Sequence, residues 1–98
     1  MNHRFLHPAM PFVLGKVLAT PGALAALERQ QVLPISLLSK HLRGDWGNVS
    51  VEDALANDIA LKNGGRLLSS YAIAPDVRIW VITESDRSVT TLLLPSEY

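Results

Sequence analysis

At Asn63-Gly64-Gly65 the chain changes period, and that change limits the folds open to it. Before the two glycines, apolar residues recur every three to four positions between proline and glycine stops, a helical rhythm. After them, segments 66–74, 77–84 and 88–94 are dense in Ile, Val, Thr, Trp and Tyr, the composition of strands. The separators Pro75-Asp76 and Ser85-Asp86-Arg87 are short enough to require antiparallel hairpins. Helices first and strands last make segregated layers rather than alternating βαβ units.

Upstream, the punctuation marks the remaining elements. Segment 12–19 is apolar on both faces, as a covered strand is. Thr20 suits an N-cap and Pro21 the first helical position, so a helix should run to about Gln30, with Leu24 and Leu27 inward. Leu33-Pro34 opens a second helix with Ile35, Leu38 and Leu42 as its buried stripe. Gly44 stops it, and Lys40, His41 and Arg43 suit the negative end of its dipole. Ser50 with Asp53 caps a third helix whose inward face should be Val51, Leu55 and Ile59. The expected fold is α+β and two-layered, in the order β-α-α-α-β-β-β. Three helices pack on one face of a mainly antiparallel sheet, and the first strand joins at an edge. Ninety-eight residues close one modest core. The expected organisation is therefore a flexible arm over 1–11 and a single domain over 12–98. His3 and His7 in that arm read as residues of a mobile terminus rather than as metal ligands.

Composition removes several functions. There is no cysteine, which excludes disulfides, thiol catalysis, zinc fingers and iron–sulfur clusters. Nine Lys and Arg balance nine Asp and Glu, which disfavours duplex DNA as the main partner, because such binding rests on many basic phosphate contacts. No apolar run approaches the roughly 20 residues of a membrane span, and the first residues do not form a secretory signal. The expected compartment is the cytoplasm. Phosphate-loop, dinucleotide and His-Glu-x-x-His motifs are missing, and no cofactor or metal is expected.

Candidate site residues come from the late strands and two loops. Pairing Ile73 with Arg78, Tyr71 with Trp80 and Glu84 with Ser88 puts Tyr71, Arg78, Trp80, Ser88 and Thr90 on one sheet face, away from the helices. That face mixes aromatic and polar groups and is the expected binding surface, although Tyr71 and Trp80 could equally be a stabilising cross-strand pair. Trp46, in the turn Gly44-Asp45-Trp46-Gly47, either plugs the core or joins that surface. His41, Glu84 and Arg87 form the alternative, catalytic set. A histidine at a helix C-terminus has a raised pKa and suits a general acid, Glu84 would be a base, and Arg87 would hold a phosphate or developing anion.

Two resemblances bear on function. The stretches Leu14-Gly15-Lys16-Val17-Leu18-Ala19-Thr20-Pro21-Gly22, His41-Leu42-Arg43-Gly44-Asp45-Trp46-Gly47 and Ile79-Trp80-Val81-Ile82-Thr83-Glu84-Ser85-Asp86-Arg87-Ser88-Val89-Thr90-Thr91 resemble small proteins met on bacterial plasmids and integrated elements, the plasmid-related family. That resemblance implies a protein of a mobile element and no particular activity. In layout alone, helices followed by an antiparallel sheet, the chain is similar to the barnase–EndoU–colicin–RelE group of small ribonucleases. The expected functions are a non-catalytic interaction module that binds a host or plasmid protein, a metal-independent endoribonuclease or toxin acting on RNA through His41, Glu84 and Arg87, and a small-ligand sensor.

Overall fold

The computed structural model describes residues 12–98. The expected arm, with His3 and His7, lies outside the described residues. Strand β1 (Lys16–Ala19) is followed by helices α1 (Pro21–Arg29), α2 (Pro34–Leu42) and α3 (Val51–Asn63). Strands β2 (Leu67–Ala74), β3 (Val77–Thr83) and β4 (Val89–Leu93) and a 3-10 turn (Pro95–Glu97) complete the order. The fold is the α+β class expected. Thr20 caps α1, its hydroxyl accepting from Ala23 N, and Ser50 caps α3 by accepting from Asp53 N.

The sheet order is β1-β4-β3-β2, with β2–β3 and β3–β4 antiparallel and β1 parallel to β4 at the edge. A bulge between Ala72 and Ala74 shifts the first hairpin by one residue from the expected pairing. Tyr71 therefore lies opposite Ile79, not Trp80, and Ala72 opposite Arg78. The second hairpin slips in the same way, pairing Thr83 with Thr90. Because side chains alternate, each slip carries a whole strand to the other face. Strand β3 keeps its expected orientation, with Ile79 and Val81 beneath the helices. Strands β2 and β4 are turned over, so Ser69, Tyr71, Thr90 and Leu92 point inward.

The core under the helices is built from Leu27, Leu37, Leu38, Tyr71, Ile79, Val81 and Leu92. Each such aliphatic side chain contributes roughly 1.5–3 kcal/mol on burial. Helix α1 buries Leu27 but leaves Leu24 half exposed, and α2 buries Leu37, Leu38 and His41 while Ile35 faces solvent. Helix α3 departs furthest from expectation. Its inward residues are Ala54, Asn57, Ala60 and Leu61, and the expected inward trio is exposed, Val51 at 75%, Leu55 at 57% and Ile59 at 60%.

The reason lies in the edge of β2. Leu68, Ser70 and Ala72 direct their backbone groups outward, where an unpaired strand edge would be a liability. The Asn57 side chain answers both Leu68 groups, its Nδ2 donating to Leu68 O (2.8 Å) and its Oδ1 accepting from Leu68 N (3.0 Å). Ser70 N donates to Trp46 O and Asn48 N to Ser70 O, while Asn48 Oδ1 accepts from Ala72 N. Gly47 sits in this contact at φ 75°, and a β-carbon there would collide with the Ser70 carbonyl and the Tyr71 ring. Helix α3 thus docks by its amide and its alanines against a strand edge, and its bulky residues stay outside.

Candidate functional site

His41 lies at the centre of a buried chain of hydrogen bonds. Its Nδ1 is 2.6 Å from Ser69 Oγ and its Nε2 is 2.9 Å from Thr83 Oγ1. Thr83 Oγ1 is 2.7 Å from Thr90 Oγ1, and Thr90 Oγ1 donates to the Leu14 carbonyl at 2.7 Å. The carbonyl can only accept, which sets the direction of every link. Thr90 gives its proton to Leu14 and must accept from Thr83. Thr83 then accepts from His41, so the imidazole proton sits on Nε2. Nδ1 is left as an acceptor for the Ser69 hydroxyl. One terminal carbonyl fixes the tautomer of a histidine three links away.

The relay is sealed. His41, Ser69, Thr83 and Thr90 are all inaccessible to solvent. Burial, reinforced by the positive charge of Arg87, pushes the His41 pKa down from 6.5 to about 4. This reverses the expectation of a raised value at the helix C-terminus, because loss of hydration outweighs the dipole here. His41 is a neutral imidazole at pH 7, and no substrate can reach it.

Trp46 belongs to the same interior. It is 6% exposed, stacks on Phe12 (centroids 6.5 Å apart, 26° between planes) and meets the His41 ring edgewise at 5.7 Å. Its Nε1 donates to Asp58 Oδ1 at 3.3 Å. Tyr71 is buried as well, its hydroxyl donating to the Asp45 carbonyl, and burial pushes its pKa up to about 12. Trp46, Tyr71 and Thr90 therefore cannot form part of an exposed binding face.

The proposed catalytic set is dispersed. Arg87 acts as a clamp, its guanidinium donating to the carbonyls of Gly65, Glu84 and Ala60 and lying 5.9 Å from the Phe12 ring centroid. These bonds take up carbonyls at the C-terminal end of α3 and in the β3–β4 turn. Glu84 turns to the other side and pairs with Arg66 at 3.4 Å on the protein surface. Among the described residues no group of three or more His, Asp or Glu side chains could hold a metal ion.

Of the candidate residues, Arg78 and Trp80 alternate with the inward Ile79 and Val81 and so face away from the helical core, Arg78 exposed and Trp80 half-buried, whereas Ser88 is exposed in the β3–β4 turn, its hydroxyl donating to Asp86. Trp80 forms one wall of a cleft of about 230 Å³ on the helix-free side of the sheet, together with Arg66, Leu68, Ile82 and Tyr98. The Tyr98 ring meets Trp80 edgewise at 5.6 Å, and Arg66 Nη1 donates to the Tyr98 hydroxyl at 2.7 Å. A wider, more open cleft of about 630 Å³ lies between α1 and the β2–β3 turn, with Arg29, Asp76, Arg78 and Ser96 at its rim. Of the residues that line the Trp80 cleft, Trp80 alone is among the expected site residues; Arg66, Leu68, Ile82 and Tyr98 are not. Tyr98 follows the last strand, where periodicity says nothing, and Arg66 falls one residue before β2 although the composition places it at the start of that strand.

No family model, curated protein or solved structure matches the chain. No helix of the described residues is long and apolar enough to cross a membrane.

Proposed function

We propose that the chain is a non-catalytic protein-interaction module of a bacterial mobile element, acting in the cytoplasm on a host or plasmid protein. Its contact surface would be the helix-free side of the sheet around Trp80. The observation that carries this reading is the Trp80–Tyr98–Arg66 cleft. Trp, Tyr and Arg are the residue types that dominate binding energy at protein interfaces, and here all three line one shallow depression on a rigid sheet. At about 230 Å³ the cleft is smaller than usual small-molecule pockets, which run from roughly 300 Å³ upward, so it suits one anchoring side chain better than a whole ligand.

The ribonuclease reading has less support. General acid–base work needs the group within hydrogen-bonding reach of the substrate, and His41 is enclosed on all sides. Arg87 is committed to main-chain carbonyls rather than turned toward a phosphate.

A photo-crosslinking amino acid at position 78, beside Trp80, tests the proposal when compared with the same group at Glu28 on the helical side. A single protein captured in bacteria from position 78 alone, and lost with Trp80→Ala in the same chain, is the expected outcome. Equal capture from both positions would overturn it. So would degradation of cellular RNA on expression that persists in the Trp80→Ala variant.

A further inference from the structure

Helix α3 carries its large apolar residues on the side that faces water. Val51, Leu55 and Ile59 recur at i, i+4 and i+8, so they are neighbours on one strip of helix rather than scattered exposed residues. Inward contacts are made instead by the opposite side, through Ala54, Asn57, Ala60 and Leu61. The exposed strip begins and ends in opposite charges. Glu52 precedes Leu55 by three positions, Ile59 follows by four, and Lys62 by three more. That three-four-three spacing is the one by which a helix seam meets another helix. Among the described residues, neither Glu52 nor Lys62 has a salt bridge or side-chain hydrogen bond of its own.

The strip is complementary to itself in one orientation. A second α3 laid antiparallel, with a two-fold axis at the level of Asn57, puts Leu55 opposite Ile59 and Glu52 opposite Lys62, each twice. A parallel pairing would instead set Glu52 against Glu52 and Lys62 against Lys62. Antiparallel helices also bring opposite dipole ends together. Ala56 is exposed and small beside the seam, which allows close approach. Asp58, the remaining charge on this side, accepts from Trp46 Nε1 and is held toward its own protomer.

We propose that α3 is a self-association surface, and that two copies of the chain pair through it as an antiparallel two-fold helix dimer. The helix has 13 residues, so the seam is about 20 Å long at 1.5 Å per residue. Such a seam buries less than the roughly 800 Å² per partner of a standard stable interface, so the dimer is weak and depends on concentration.

Sedimentation equilibrium between about 5 µM and about 500 µM covers the range expected of a contact this size. The weight-average mass should rise from 10.7 kDa toward twice that value. Leu55→Gln, on the protein surface, should keep the thermal midpoint near the parent's and hold the mass at the monomer value. Glu52→Lys and Lys62→Glu should each lower self-association at least tenfold. Mixing these two variants should restore it, because the repelled like-charged pairs of each homodimer become opposite-charged pairs in the heterodimer. A parent that stays monomeric throughout overturns the proposal. So does association that survives Leu55→Gln, or a mixture no more associated than its separate components.

Discussion

Acidification from pH 7 to pH 5 should weaken the fold by about 2 kcal/mol through His41 alone. In the unfolded chain a histidine takes up its proton near pH 6.5. In the folded chain burial holds that event down to about 4. Between the two values the unfolded state binds more protons than the folded state, so stability falls as pH falls. The contribution is fully present above about 6.5 and fully lost below about 4. At 1.36 kcal/mol per pKa unit its ceiling is about 3 kcal/mol. His41 has no solvent exposure, so little screening reduces this. Urea unfolding at pH 7 and pH 5 should be measured on the parent and on His41→Gln. The variant will be less stable at neutral pH, because Ser69 and Thr83 lose a well-placed partner, but its decline on acidification should be shallower by about 2 kcal/mol. Asp86 and Glu97, both held low by hydrogen bonds, titrate alike in the two proteins and cancel from the difference. Equal declines would refute the reasoning, since they would mean that His41 ionises in the folded chain as readily as in water. A histidine NMR titration on the parent checks it independently, and should also show the proton on Nε2.

Trp46→Ala should cost about 3–5 kcal/mol, the penalty for emptying a large buried aromatic, and Trp80→Ala clearly less, since Trp80 is only half-buried. Urea midpoints that rank the two the other way would contradict the placement of Trp46 against Phe12 and His41. Arg87→Ala should destabilise by about 2–3 kcal/mol, because it leaves part-buried carbonyls of Gly65 and Ala60 without their charged donor, while Glu84→Gln should stay within about 1 kcal/mol of the parent. Equal midpoints for these two variants would show that Arg87 is not a structural clamp.

The order of elements was legible because proline and glycine mark its boundaries. Thr20-Pro21, Leu33-Pro34 and Gly64-Gly65 fall at element boundaries in the structure. What the sequence concealed was register. The bulge near Ile73 has no glycine to announce it, and one extra residue was enough to turn β2 over. The expected pairing puts Ser69 and Thr90 on the outward face, where polar residues alternating with apolar ones would suit solvent. They point inward because His41, from a helix, supplies a partner that no pattern within a strand can reveal. Helix α3 misled for the opposite reason. Periodicity places its large apolar residues inward, whereas the edge of β2 requires an amide there. Of the expected binding face only Arg78 and Trp80 lie together on one side of the sheet, and the catalytic set does not converge.

The parallel pairing of β1 with β4 has a kinetic consequence. Lys16 pairs with Val89, 73 positions further on, whereas β2, β3 and β4 are joined by turns of a few residues. Closing a loop of that length costs about 4 kcal/mol by chain statistics, before any contact is returned. The hairpins can therefore form on their own, while β1 has to wait for a surface already built to receive it. It should correspondingly be an early strand to leave when the protein breathes, its amides exchanging before those of the central strands β3 and β4. Leu14 leaves with it, and with Leu14 goes the carbonyl on which the buried relay ends. Thr90 then loses its fixed acceptor, and the proton order from Thr83 through His41 to Ser69 is no longer dictated. The orientation of the most deeply buried polar groups in the molecule thus rests on chain next to the edge strand that closes the longest loop of the sheet.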